Sequence, residues 1–148
     1  MAILNEDDPY VKAMDRLAKG KTITYDIERN ATCIGSHLRY KKDGIKFTCK
    51  CYDEVFDIFL PMIGEHNVYD ALAAIVAGRV LGIKSNTIRK GLSEFSGTPM
   101  RQEIVPFEDI VILNDAYNAN PSSMAEAIKA LGQLEGKRKI AMLGDMLE

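Results

Sequence analysis

The chain has 148 residues, 47% of them apolar and 27% charged, an ordinary composition for a folded domain with enough Leu, Ile and Val to build a core. No window approaches the roughly 18 uninterrupted apolar residues of a membrane span. The start, MAILNEDDPY, also places acids where a secretory signal needs basic residues and a long apolar run, so a cytoplasmic protein without membrane insertion is expected. With 19 Lys and Arg against 21 Asp and Glu the net charge is -2, which gives no general field for gripping nucleic acid but leaves room for a local phosphate-ligand site.

Residues 1–20 carry one stripe at helical spacing, Val11, Met14, Leu17 and Ala18, behind Asp7-Asp8-Pro9, where an acid can cap and a proline can fill the first turn. A short helix ending near Gly20 is predicted. Gly20-Lys21-Thr22 imitates the end of a phosphate-binding loop, but the position five residues earlier is Asp15 rather than glycine. A helix precedes it and a strand follows, the reverse of the order that aims helix amides at a phosphate, so it is taken as a helix cap.

From Thr22 to Pro61 the period becomes two. Ile23, Tyr25 and Ile27 alternate with polar residues, as do Ile45, Phe47, Cys49 and Cys51 after the turn pair Asp43-Gly44. Phe56, Ile58 and Leu60 follow beyond Asp53-Glu54. A small antiparallel β-meander with one covered face is predicted, with Cys49 and Cys51 turned inward beside Phe47. The three cysteines, Cys33, Cys49 and Cys51, are too few and too unevenly spaced for a disulfide framework. Cys49-Lys50-Cys51 also lacks the further ligands of a tetrahedral zinc, so no metal site is expected from these residues.

At Gly64 the period turns helical. Val68, Leu72, Ile75, Val76 and Val80 form one apolar face, and Gly82 stops the helix. A second helix is predicted from about Asn86 to Phe95, with Ile88, Leu92 and Phe95 inward. Gly97-Thr98-Pro99 then breaks the chain and marks the expected boundary between a domain at 1–100 and another at 101–148. Beyond it, Ile110-Val111-Ile112-Leu113 predicts a strand buried on both faces, Met124, Ala127, Ile128, Leu131 and Leu134 a helix, and Lys139 to Leu143 a second strand. This is an α/β pattern ending in one βαβ unit. One such unit cannot cover both faces of a sheet, so the chain is expected to be a piece of something longer.

Polar residues concentrate at two places where ligands bind. The loop Asn114 to Pro121 leaves the carboxyl end of a strand, and its amides and Asp115 suit a polar ligand. Asp115 can accept the hydroxyls of a ribose, or it can satisfy loop amides, just as Asn120 can cap the following helix. Gly64-Glu65-His66-Asn67 opens the alanine-rich helix, where free amides and the helix dipole favour polar partners. His66 and Asn67 can read a heterocycle or serve the fold. Arg101, alone after the break, can reach a ligand phosphate or form a salt bridge.

These residues carry a resemblance. Gly64-x-His66-Asn67-x-x-Asp70-Ala71-x-Ala73-Ala74 resembles the adenine-side motif of the Mur ligases, the ATP-dependent enzymes that build the peptide stem of the bacterial cell-wall precursor. Arg101, Asp115-x-Tyr117-Asn118-Ala119-Asn120-Pro121 and Gly144-Asp145-Met146-x-Glu148 resemble later signatures of that family in the same order, and Asn5-x-Asp7-Asp8 resembles an earlier one. The Tyr-Asn-Ala-Asn form is similar to that of members adding D-alanyl-D-alanine to UDP-N-acetylmuramoyl-tripeptide. It disfavours a folylpolyglutamate synthase-like relative.

The resemblance implies a partial central ATP-binding domain followed by the start of a Rossmann-like C-terminal domain, with the phosphate loop upstream of Met1. It implies ATP and Mg2+ as cofactors, the metal ligands mostly outside this chain, and an acyl phosphate that the dipeptide amine attacks. It assigns His66, Asn67, Asp70, Arg101 and Asp115 to ATP, Arg101 to catalysis, and Tyr117, Asn118 and Asn120 to substrate. Asp70 departs from the family asparagine and exchanges a donor for a charge. Without the phosphate loop, the isolated chain is expected to be inactive; the alternative is a non-catalytic, partner-binding module with a Mur-like surface.

Overall fold

The structure, a computed structural model, describes residues 1–28 and 30–146; Glu148 of the Gly144-Asp145 element lies outside the described residues. The period-two region forms β2 (Thr22–Ile27), β3 (Cys33–Lys41), β4 (Gly44–Cys51) and β5 (Glu54–Leu60), and β1 (Ala2–Asn5) joins them in one sheet in chain order. β1 and β3 both run parallel to β2, while β3, β4 and β5 form an antiparallel meander. The antiparallel pairing expected of the alternating runs holds for β4 and β5, while β2 has parallel neighbours and β3, which the alternation did not mark, stands between β2 and β4. Alternation reports that one face of a strand is covered, but not the direction of its neighbours.

The covered face lies under α2 (His66–Val80), whose Val68, Leu72, Ile75 and Val76 are fully buried in one cluster with Ile23, Phe47, Cys49 and Ile58. A Cβ added at Gly35 would stand 3.2 Å from Leu72 Cδ1, so this glycine lets the helix settle close to β3. Cys33, Cys49 and Cys51 are all free and buried, as the alternation predicted for the last two. Hydrogen bonds with Cys49 and Cys51, together with burial, push the Cys33 thiol up.

The first helix is shorter than expected. Asp8 caps α1 (Pro9–Ala13) by accepting from the Tyr10 and Val11 amides at 2.8 and 2.9 Å, and the chain then tightens into a 3-10 turn over Met14–Leu17. Its stripe is not inward, and Leu17 is 78% exposed. The change of period at Met14 throws the i, i+3, i+7 positions off a common face. After α2, Gly82 at φ 77° stops the helix and α3 (Ser85–Ser93) packs Ile88 and Leu92 on the core. Phe95 lies past the end of α3 and half exposed instead of inward.

The last part contains a β-hairpin, β6 (Glu103–Phe107) with β7 (Ile110–Asn114), and then α4 (Pro121–Gln133). The run Ile110–Leu113 does form a strand, but Ile110 is 59% exposed because β7 has β6 as its one neighbour. Residues 139–143 form no strand and Met142 is 94% exposed, so the expected βαβ unit is not closed. An apolar run is fit to be a strand but does not itself supply the edge it would pair with, and β7 keeps β6 as its one neighbour. The chain is mixed α/β, as the sequence pattern requires. Among the described residues no helix is long and apolar enough to cross a membrane.

Candidate functional site

The beginnings of α2 and α4, the linker after α3 and the loop after β7 enclose a cleft of about 770 Å³. His66, Asn67, Asp70, Arg101, Asp115, Tyr117, Asn118 and Asn120 all line it, although they come from three separate stretches of sequence.

One wall is the first turn of α2. Gly64 takes φ 89°, and a Cβ there would lie 2.4 Å from His66 Cε1, so only glycine allows the imidazole to fold back over the turn. Asn67 is 7% exposed, and its Nδ2 donates to the Ile63 carbonyl at 2.6 Å and meets His66 Nε2 at 3.0 Å. Asp70, one turn on, is exposed. Burial, and then the Asp70 charge, raise the pKa of the Tyr25 hydroxyl. The Tyr69 hydroxyl donates to Asp7 and ties α2 to the loop after β1; burial and that hydrogen bond push its pKa up. Leu60, Met62, Leu92 and Phe95 give this wall an apolar floor.

The opposite wall is held by short pins. Asp115 Oδ1 accepts from the Gln102 amide at 3.0 Å, and the Tyr117 amide donates to the Met100 carbonyl at 3.1 Å. Met100 and Gln102 hold φ of 62° and 49° on either side of Arg101, a strained pair that fixes how the arginine leaves the backbone. The Arg101 guanidinium stacks 4.2 Å from the centre of the Tyr117 ring. Asn118 Oδ1 accepts from the Ala119 amide at 2.8 Å. Asn120 caps α4, its Oδ1 accepting from the Ser123 amide at 2.9 Å while Ser123 Oγ accepts from the Asn120 amide.

This geometry limits what can bind. Two helix N-termini border the cleft and Arg101 adds a cation, but Asp70, Asp115 and Glu126 make the charged lining acidic on balance. The arrangement suits a flat base and a polar sugar better than a bare triphosphate. Among the described residues no group of three or more His, Cys, Asp or Glu converges on one point. Sequence reasoning missed Met62, Gln102 and Glu126, and gave no role to Ser123, which lies in the same signature as Asn120. Ser123, at the third position after a capping asparagine, carried a visible signal; the others are single residues in a linker or on a helix.

Residues 1–78 match the Mur ligase middle domain, and residues 100–148 match the Mur ligase glutamate ligase domain. The chain belongs to the Mur ligase family. It is 40% identical over 133 residues to the UDP-N-acetylmuramoyl-tripeptide--D-alanyl-D-alanine ligase of Bacillus subtilis, which covers 84% of this chain and 29% of that protein. It is also 33% identical over 148 residues to the UDP-N-acetylmuramoyl-L-alanyl-D-glutamate--2,6-diaminopimelate ligase of Synechocystis, covering 97% of this chain and 29% of that one. Crystal structure I of MurF from Acinetobacter baumannii superposes with a TM-score of 0.83 at 26% identity, covering 90% of this chain and 29% of that chain. This Mur ligase chain thus spans less than a third of the length of these relatives.

Proposed function

We propose that the cleft is the nucleoside end of the ATP site in a ligase that joins D-alanyl-D-alanine to UDP-N-acetylmuramoyl-tripeptide. On this reading residues 1–100 are the later part of the central domain and 101–148 the start of the C-terminal one. The observation that carries the proposal is the convergence on one cleft of eight residues chosen from sequence alone.

Asn67 and His66 take the base edge from the buried first turn of α2. Asp115 holds the ribose with the oxygen that Gln102 leaves free, since an ionised carboxylate accepts readily from hydroxyls. Arg101, kept in place by Tyr117, reaches the phosphates and offsets charge that develops on the transferred phosphoryl. ATP supplies the activation of the tripeptide carboxylate as an acyl phosphate. Tyr117, Asn118 and Asn120 border the incoming dipeptide, and Asn120 does so through its NH2, its oxygen being engaged in the helix cap. Arg101 is the one arginine or lysine among the described lining residues, so further positive charge for the phosphates has to come from other residues, and the chain alone should bind ATP weakly and turn over none.

The test is a chimera in which this chain replaces the matching stretch of the Bacillus subtilis relative. Purified chimera should ligate D-alanyl-D-alanine to UDP-N-acetylmuramoyl-tripeptide, and Arg101→Ala should lower kcat at least tenfold with a smaller change in KM for the dipeptide. A folded chimera that adds diaminopimelate instead, or that is indifferent to Arg101→Ala, would overturn the assignment.

A further inference from the structure

The Asn67 amide and the His66 imidazole share a hydrogen bond whose direction depends on a third residue. Asn67 Nδ2 lies 2.6 Å from the Ile63 carbonyl oxygen, which can only accept, so one N–H of the amide is committed there. The other N–H reaches His66 Nε2 at 3.0 Å, and that ring nitrogen must be the unprotonated one. The neutral imidazole then carries its proton on Nδ1. Nδ1 is buried without a hydrogen-bond partner and faces Glu126 Oε2 at 3.9 Å, from α4 on the other side of the cleft. The Glu126 carboxylate divides its oxygens: Oε1 takes the Lys129 ammonium at 2.6 Å, and Oε2 is left for His66.

We propose that Glu126 is a positioning residue, holding His66 in its Nδ1–H form and thereby fixing the Asn67 amide so that Asn67 offers a ligand an acceptor and no donor. With both N–H groups spent, Oδ1 is the atom of Asn67 left for a ligand in the cleft that this residue lines. An acceptor-only edge takes the exocyclic amine of a 6-aminopurine and rejects a 6-oxopurine, whose own oxygen also accepts. If Glu126 is lost, the Ile63 carbonyl still holds one N–H of the amide, but the charge that favours a proton on His66 Nδ1 is gone, and the Nε2–H form, which sets donor against donor at Asn67, gains population. Because Glu126 belongs to α4 and His66 to α2, the acceptor edge is set when both walls are in place. The selectivity rests on the nucleotide reading above; the coupling of Glu126 to His66 does not.

The experiment uses the 15N-labelled 148-residue chain. Its two histidines, His37 and His66, are separable by a His37→Gln variant, and long-range 1H–15N spectra report which ring nitrogen bears the proton. The wild type should show Nδ1–H at His66, Glu126→Ala should move the population toward Nε2–H, and Glu126→Gln, whose amide oxygen still accepts, should restore it. Calorimetric titration of the chimera with the Bacillus subtilis relative, using ATP and inosine triphosphate, should give a preference for ATP that falls about tenfold in Glu126→Ala and holds in Glu126→Gln, the factor that one ordinary hydrogen bond carries. A His66 that keeps Nδ1–H in Glu126→Ala, with the preference unchanged, would overturn the proposal. A tautomer shift in the chain, with a wild-type chimera that binds both nucleotides equally well, would uphold the coupling and overturn the adenine reading.

Discussion

Leu72 in α2 and Ile112 in β7 are both apolar residues in regular elements, yet Leu72 has no exposed surface and Ile112 is 44% exposed. The contrast extends to the parts around them. The five-stranded sheet and α2 bury a continuous cluster, whereas among the described residues beyond Gln102 the buried hydrophobic core contains Ala130 alone. The hairpin β6–β7 rests on its backbone ladder, and its flanking loop on a few polar pins such as Gln102 to Asp115. The cleft takes one wall from each part. A packed wall fixes geometry to fractions of an ångström, while a pinned wall keeps its place only as long as its hydrogen bonds do.

The sharpest way to break this contrast is a pair of truncations. Leu72→Ala should cost about 2–5 kcal/mol by opening a cavity in the core, and Ile112→Ala less than about 1 kcal/mol, both read from urea unfolding. Equal losses would mean that the two parts share one core. Next in size, Gly64→Ala should cost about 1–3 kcal/mol, since it forces a side chain into a left-handed backbone and against the His66 ring. Thermal unfolding gives the loss and the His66 resonances give the displacement; unmoved resonances would contradict the role assigned to this glycine. Asn120→Ala should cost about 1 kcal/mol through the lost cap. Hydrogen exchange should speed up in the first turn of α4 and not in β4, and equal acceleration in both would show that the pinned wall unfolds together with the sheet.

The smallest effect concerns pH. Tyr69 has its folded pKa raised, first by burial and then by donation to Asp7. Its contribution to stability is full below the unfolded value near 10 and is lost as pH rises through the higher folded value. Tyr69→Phe should therefore flatten the alkaline fall of the melting temperature. An unchanged alkaline slope in that variant would show that Tyr69 contributes nothing to it.

The packed part was largely legible in the sequence because burial leaves a period. Val68, Leu72, Ile75 and Val76 announced α2, and Phe47, Cys49 and Cys51 announced the covered face of β4. What escaped lacks a period or breaks one. β1 is four residues long, β3 changes register between Ser36 and Arg39 where His37 takes φ 54°, and β6 contains Pro106. The apolar run of β7 was misread for the opposite reason: composition can show a strand that is fit to be buried, but not whether a neighbour covers it. In the site, polar residues clustered at helix starts were visible, and Arg101 was visible through its isolation. Glu126 was not, because its partner His66 lies sixty positions away and nothing in either local pattern connects them.

The strained pair Met100 and Gln102 has a consequence for affinity. Together with the Tyr117-to-Met100 hydrogen bond, it sets the distance between the two walls, so a bound molecule touching both acts as a spacer as well as a ligand. Its apparent dissociation constant is then the intrinsic one divided by the fraction of molecules whose walls already stand at the right separation. Relaxing this linker, for example with Gln102→Gly, would change how tightly every such molecule is held without altering a single atom that touches its base.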